Sequence, residues 1–149
     1  MAEARAVLLG GWAELGKSGL SGRFLKVDVV PHPWLFPRVA AAAHHGGIGT
    51  TAEAFRAGVS MVIVPFYADQ PYWGRRAHAL GVSPPPIPRQ ELTAERLAQA
   101  MQEAVSDNAM RQCAAALGEK LHGEDGVSEA VRVIARLMEN PAALVPELD

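Results

Sequence analysis

A glycine-rich turn between an apolar segment and a helix-forming segment constrains this chain more than any other feature. The run His44-His45-Gly46-Gly47-Ile48-Gly49-Thr50-Thr51 follows the apolar stretch 39–43 and precedes the helix-forming stretch 52–57. Such a turn leaves backbone N–H groups pointing outward at the positive end of a helix, and glycines let a ligand approach the main chain closely. Two threonines and two histidines add side-chain donors. The sequence therefore predicts a phosphate or diphosphate site here.

The rest of the chain alternates between strand and helix patterns. Strands are predicted over 6–9, 24–30, 39–43 and 59–64, with a break at 31–34 and a brief helical turn at 35–39. Helices are predicted from 52, over 70–80 with Gly81 just after its end, from 94 to about 105 with Thr93 as N-cap, from an N-cap at Asp107 to about 121, and over 127–138. A loop or short helix is predicted over 14–22. This alternation predicts a parallel sheet with helices on both faces. Ligands of such sheets bind beyond the carboxyl ends of the strands, so 44–51 and 66–70 should face one crevice.

Composition narrows the class of protein. The chain has 149 residues, enough for one domain, and a net charge of −2 without basic blocks, which argues against nucleic acid or an anionic membrane as partner. No apolar run approaches the about 18 residues that span a bilayer. The single cysteine, Cys113, excludes an internal disulfide, fits a reducing cytoplasmic compartment, and is predicted to be at least half-buried among alanines. No constellation of metal ligands is evident.

Long segments in the correct order resemble a known family. They are 30–38 (VPHPWLFPR), 44–51 (HHGGIGTT), 62–74 (VIVPFYADQPYWG), 81–82 and 86–89. From 29 to about 93 the chain is similar to the donor-binding signature of UDP-sugar glycosyltransferases of the glycosyltransferase-B fold. The most similar subgroup is the sterol 3-beta-glucosyltransferase-like enzymes. The resemblance extends more weakly over nearly the whole chain and implies the Rossmann-like C-terminal domain of that fold.

The resemblance also implies roles for single residues. His45 would contact the diphosphate of a UDP-sugar, which is the donor substrate rather than a cofactor. The phosphates would be bound by backbone N–H and hydroxyl groups, the ribose by a carboxylate and the sugar hydroxyls by an acid-amide pair; these residues are Gly47, Gly49, Thr50 and Thr51 for phosphate, Glu53 for ribose, and Asp69 and Gln70 for the sugar. No catalytic base and no metal ligand is assigned within this chain, since in the family the catalytic histidine belongs to an N-terminal, acceptor-binding domain.

Several of these residues have a second interpretation. Thr50 and Glu53 have the spacing of a helix capping box, and Asp69 has the position of a helix cap. Trp34 is a core residue, a surface for stacking on uracil, or neither. His44 cannot point into the same site as His45 if both continue a strand, so a structural role or a contact at the rim is expected for it.

The resemblance shapes the expected function and organisation. Residues 1–139 would form the donor-binding domain, without the first, central strand of the family's 3-2-1-4-5-6 sheet, and 140–149 a tail. We therefore expect the chain to be a fragment of that domain, with the missing strand compensated by self-association or strand exchange. The expected function is the donor half of an inverting glycosyltransferase that moves a hexose, glucose, to a sterol or other lipophilic hydroxyl, inactive alone. One alternative is a non-catalytic UDP-sugar-binding subunit or assembly module that needs a partner chain. Another is a UDP-sugar epimerase-like fold, but the sequence offers neither the catalytic carboxylates nor the basic substrate site that an epimerase would need.

Overall fold

The computed structural model describes residues 4–10 and 22–139 of the chain. Its strands are β1 (Ala6–Leu9), β2 (Phe24–Val27), β3 (Ala41–His44) and β4 (Ser60–Ile63). Its helices are α1 (His32–Leu35), α2 (Ile48–Arg56), α3 (Gln70–Ala79), α4 (Ala94–Ser106), α5 (Asn108–His122) and α6 (Gly126–Glu139), with 3-10 turns at Phe36–Arg38 and Arg89–Glu91. From β2 to α3 the expected alternation of strands and helices is confirmed.

All strand pairings in the described residues are parallel. β1 pairs with β2 from Ala6↔Phe24 onward, and β3 pairs with β4 up to His44↔Ile63. Within residues 4–10 and 22–139 no backbone pairing joins the two pairs, so they form two sheets of two strands. In a 3-2-1-4-5-6 order one further strand separates these two pairs. The expected α/β class with parallel strands is therefore confirmed, while a continuous sheet is not formed by the described strands.

β4 is the centre of the core because its two faces meet different helices. Met61 and Ile63 face a cluster that includes Phe55 of α2 and Ala77 of α3, whereas Val62 and Val64 face a second cluster. That second cluster consists of Val62, Val64, Ile87, Ala100, Ala104 and Met110, of which the last three belong to α4 and the start of α5. The four residues of β4 are buried, which explains why the three that follow Ser60 are apolar without alternation. Helices thus cover β4 on both sides and fix the edge at which its carboxyl end emerges.

Helix boundaries agree with the caps in the sequence. The Thr93 hydroxyl accepts the Arg96 N–H at 3.2 Å at the start of α4, and the Asp107 carboxylate accepts the Met110 N–H at 3.1 Å at the start of α5. Gly81, just after α3, has a φ of 71°, which favours glycine. These three positions confirm the predicted starts of α4 and α5 and the predicted end of α3.

Three local predictions were wrong. Residues 32–34, predicted as part of a break, form α1 together with Leu35, since Pro33 is tolerated in a first helical turn, whereas the helical turn predicted at 35–39 is present as the 3-10 turn Phe36–Arg38. α2 begins at Ile48, four residues earlier than expected, so the threonines lie within the helix. Cys113 is exposed, because it lies on the face of α5 beside Gly81 rather than on the face that packs on α2. The predicted loop at 14–22 lies almost wholly outside the described residues, as does the predicted tail 140–149.

None of the helices described is both long and apolar enough to cross a membrane.

Candidate functional site

The turn after β3 and the loop after β4 meet at one edge of the sheet. His44 and Ile63 are register partners, and the Val64 N–H donates to the His44 carbonyl at 3.0 Å. A Cβ built on Gly46 would lie 3.3 Å from the carbonyl oxygen of Gln70, so the backbones of the two segments are in contact. The two segments therefore lie side by side at the carboxyl ends of β3 and β4, as the prediction of a shared site requires.

His44 points inward and shapes the turn. The Gly46 N–H donates to its Nδ1 at 3.0 Å, which requires a neutral ring with the proton on Nε2. Burial is the main cause that lowers the pKa of His44 to about 4, and the neighbouring His45 and His32 act in the same direction. Its Nε2 is buried and has no partner among the described residues. His44 is thus a neutral structural residue, and Gly46, with a φ of 89°, makes the reversal that follows it.

His45 is exposed and lies at the start of α2. A Cβ on Gly47 would be 2.6 Å from the Nε2 of His45, so the imidazole rests against the glycine backbone. Adjacent residues at a strand end point to opposite sides, which explains why His44 is inside and His45 outside. This arrangement leaves the His45 ring available to a ligand at the helix N-terminus.

The N-terminus of α2 presents unpaired donors. Gly47 is its N-cap and provides no capping side chain, and the first intrahelical bond runs from the Thr51 N–H to the Gly47 carbonyl at 3.0 Å. The N–H groups of Ile48, Gly49 and Thr50 therefore have no partner among the described residues, and the first turn contains no acidic residue. Free donors at the positive end of a helix are suited to an anion.

The two threonines and Glu53 differ in their surroundings. Thr51 is fully buried, and its hydroxyl donates to the Gly47 carbonyl at 2.9 Å, so it supports the turn. Thr50 is half-buried in the first turn of α2. The capping-box interpretation of Thr50 and Glu53 was wrong, because Gly47 is the N-cap. Glu53 lies in the second turn, where one carboxylate oxygen pairs with Arg56 at 3.1 Å.

The loop after β4 holds the second predicted pair. The side-chain oxygen of Gln70 accepts the N–H groups of Phe66 and Tyr67 at 2.8 and 3.2 Å, which leaves only its amide donors for a ligand. Asp69 is the N-cap of α3 but makes no capping hydrogen bond. Its carboxylate instead accepts the indole N–H of Trp73 at 2.9 Å. The sequence predictions did not include this contact, although the spacing of four residues on a helix signals it.

Trp34 lies on the surface of the domain rather than in its core. The side chain is 55% exposed, and the Arg38 guanidinium lies 4.5 Å from the centre of its ring. The interpretation of Trp34 as a core residue was therefore wrong.

The described residues contain no candidate metal centre. Within residues 4–10 and 22–139 no three His, Cys, Asp or Glu side chains lie together as a metal would require.

Comparison with known proteins places these residues in a family. Residues 16–137 match the model of the family described as Erythromycin biosynthesis protein CIII-like, C-terminal domain. The chain is 43% identical over 129 residues to a sterol 3-beta-glucosyltransferase of Arabidopsis thaliana, covering 86% of this chain and 20% of that protein. It is 42% identical over 133 residues to the O-mycaminosyltylonolide 6-deoxyallosyltransferase of Streptomyces fradiae, covering 89% of this chain and 31% of that protein.

Solved structures of glycosyltransferases have the same fold as this chain. The glycotransferase of kitacinnamycin superposes with a TM-score of 0.78 at 28% identity, covering 89% of this chain and 34% of that one. The glycosyltransferase VinC in complex with dTDP gives a TM-score of 0.75 at 30% identity, covering 85% and 31%. The chain thus spans about a third or less of the length of the proteins it matches. It belongs to the Erythromycin biosynthesis protein CIII-like C-terminal domain family, the C-terminal domain of glycosyltransferases of the glycosyltransferase-B fold.

Proposed function

We propose that this domain binds the nucleotide-sugar donor of a glycosyltransferase, and that the donor is UDP-glucose. The observation that carries the proposal is the proximity of two loops. One holds three N–H groups at the start of α2 without a partner among the described residues, with the exposed His45 beside them, and the other holds the Asp69-Gln70 pair. The names of the matched sterol 3-beta-glucosyltransferases support glucose as the sugar and a sterol or other lipophilic alcohol as the acceptor.

The proposed chemistry follows from where charge develops. The acceptor hydroxyl attacks the anomeric carbon, the bond from that carbon to the diphosphate oxygen breaks, and UDP leaves with added negative charge. Fixed N–H donors at the start of α2, together with His45, stabilise that charge more in the transition state than in the bound substrate. Gly47 and Gly49 allow the diphosphate to approach the backbone, and Thr50 adds a hydroxyl donor. The base that deprotonates the acceptor would lie in the acceptor-binding part of the enzyme.

The remaining contacts divide the donor between two loops. Glu53 accepts hydrogen bonds from the ribose hydroxyls with the carboxylate oxygen that Arg56 leaves free. Gln70 donates from its amide nitrogen, because its oxygen is used by Phe66 and Tyr67, and Asp69 accepts with its second oxygen. In this assignment the buried Thr51 does not contact the phosphate but supports the site through the hydrogen bond from its hydroxyl to the Gly47 carbonyl. The sugar therefore meets one donor and one acceptor on adjacent residues.

Thymidine diphosphate sugars are a second candidate for the donor. VinC, which this chain resembles at 30% identity, was solved with dTDP bound, and the Streptomyces fradiae relative is a 6-deoxyallosyltransferase. The contacts described above reach the diphosphate, ribose and sugar, and they do not by themselves separate uracil from thymine. The two nucleotides must therefore be compared directly.

The alternative to a donor half acting within an enzyme is a binding subunit that recruits a partner chain. Either role needs the acceptor-binding part, which we propose is an N-terminal domain of the same polypeptide or a partner chain. The two sheets of two strands would also accept a further strand between β1 and β3 from the same source, or from a second copy of the chain.

Calorimetric titration of the 149-residue chain with UDP, UDP-glucose and dTDP tests the proposal. We expect UDP-glucose to bind more tightly than UDP, and His45→Ala to weaken both by about tenfold, the effect of one hydrogen bond to a charged group. His122→Ala, which removes an exposed histidine whose ring bonds only to the Gly118 carbonyl among the described residues, at the end of α5, is the matched control and should bind as the parent chain does. If dTDP binds more tightly than UDP, the donor is a thymidine diphosphate sugar and not UDP-glucose. A folded chain that binds no nucleotide would contradict the proposal for this chain.

A further inference from the structure

We propose that Trp73 is a positioning residue that orients the carboxylate of Asp69 toward the donor sugar. This inference rests on the proposed function, since it assigns how one of the sugar-binding residues is held. The indole N–H of Trp73 donates to the Oδ2 of Asp69 at 2.9 Å, one helical turn away on α3. The other carboxylate oxygen makes no hydrogen bond to the described residues and is left for a hydroxyl of the sugar.

The backbone explains why Asp69 depends on Trp73. An aspartate at an N-cap normally bonds to its own helix, but this requires an extended backbone at the cap. Asp69 has a φ of −80° and a ψ of −9°, which are helical values, so its carboxylate does not cap α3. Ala68 before it has a φ of 56° and is alone in this region among the non-glycine residues described. The Asp69 carboxylate therefore bonds to the indole of Trp73 and not to the backbone N–H groups at the start of α3.

Trp73 is suited to hold a carboxylate because its own ring is fixed. The indole is half-buried and packs against the core cluster that includes Met61 and Ile63. Tyr72 contacts it edge to face with ring centres 5.1 Å apart. Gln70, the neighbour of Asp69, is instead held by two backbone N–H groups of its own loop. The two members of the pair are therefore positioned by different means, and Asp69 alone relies on a side chain.

The decisive experiment compares UDP with UDP-glucose in Trp73→Phe, which keeps an aromatic ring and removes the N–H. We expect the affinity for UDP-glucose to fall about tenfold while that for UDP changes less than about twofold, since UDP lacks the sugar. In an Asp69→Ala background the same change should have no further effect, because the two residues act as a unit. Tyr72→Phe, which alters only the exposed aromatic neighbour, should leave both affinities unchanged.

Each contrary result has a distinct meaning. An equal loss for UDP and UDP-glucose in Trp73→Phe would show a purely structural role and overturn the proposal, as would no loss at all or an undiminished effect in the Asp69→Ala background. The contact itself is tested without ligand by the indole N–H resonance of Trp73, which should move in Asp69→Asn; a resonance that stays in place overturns the proposal. A chain that shows this shift but binds neither UDP nor UDP-glucose would instead overturn the proposed function, and with it this role of Trp73.

Discussion

The substitution Gly46→Ala provides a strong test of the turn that builds the site. Gly46 has a φ of 89°, where an L side chain is disfavoured by about 1 to 2 kcal/mol. The new methyl group would also lie 2.7 Å from Cγ2 of Ile63 and 3.3 Å from the backbone carbonyl of Gln70. Ile63 is fully buried, so its side chain has little room to retreat.

Added together, these effects give a sizeable loss of stability. Overpacking of this kind costs about 1 to 3 kcal/mol, so the free energy of unfolding should fall by about 2 to 5 kcal/mol in total. For a chain of this length the melting temperature should drop by roughly 5 to 15 °C. Thermal unfolding followed by circular dichroism, supported by urea titration, would measure both quantities.

Gly49→Ala is the matched control because it makes the same chemical change three residues away. Gly49 lies in α2, and apart from the adjoining residues and the backbone of that helix no atom of the described residues lies within 4 Å of its would-be Cβ. Alanine favours a helix over glycine, so this variant should be more stable by up to about 0.5 to 1 kcal/mol. The reasoning is refuted if Gly46→Ala unfolds at the same temperature as the parent chain, or if the two variants shift in the same direction by similar amounts.

Three further outcomes are expected. Thr93→Ala should lower the free energy of unfolding by about 1 kcal/mol through loss of the cap on α4, and Thr93→Ser should restore most of it. The neutral His44 contributes stability that is complete above pH 6.5 and is lost as the pH falls toward about 4, by up to about 3 kcal/mol, because its pKa is lowered in the folded state. His44→Asn, which keeps an acceptor for the Gly46 N–H, should flatten the pH dependence of urea unfolding in that interval. Val131→Gln and Ile134→Gln on α6 should each change the stability little, within about 0.5 kcal/mol, since both side chains are largely exposed; a large drop in melting temperature would show that α6 packs on the rest of the chain.

Much of the fold followed from local signals. Thr93 and Asp107 could be identified as caps because capping needs only a side-chain acceptor at the right position, and Gly81 could be placed after α3 because few other residues adopt its φ. The meeting of the two loops followed from parallel pairing, which brings the carboxyl ends of β3 and β4 to one edge. These inferences rest on short-range chemistry or on one topological rule.

The direction of individual side chains could not be predicted in the same way. Thr51 was expected to face a phosphate, yet α2 begins four residues earlier than expected, and this change of helical phase turns Thr51 into the core. The oxygen of Gln70 is engaged by two backbone N–H groups of its own loop, and this contact depends on the path of the loop backbone, which the residue types do not reveal. The burial predicted for Cys113 was wrong for a similar reason, because several faces of an alanine-rich helix look alike in sequence.

Each loop of the site pairs a residue that shapes the backbone with one that is left for the ligand. His44 and Gln70 accept backbone N–H groups of their own loops, whereas His45 and Asp69 make no such bond. Alanine at His44 or Gln70 should therefore lower both the melting temperature and the affinity for UDP-glucose. Alanine at His45 or Asp69 should lower the affinity while changing stability by less than about 1 kcal/mol, because the lost contacts are exposed. The division fails if His45→Ala unfolds as easily as His44→Ala, since the outward histidine would then stabilise the fold as much as the buried one does.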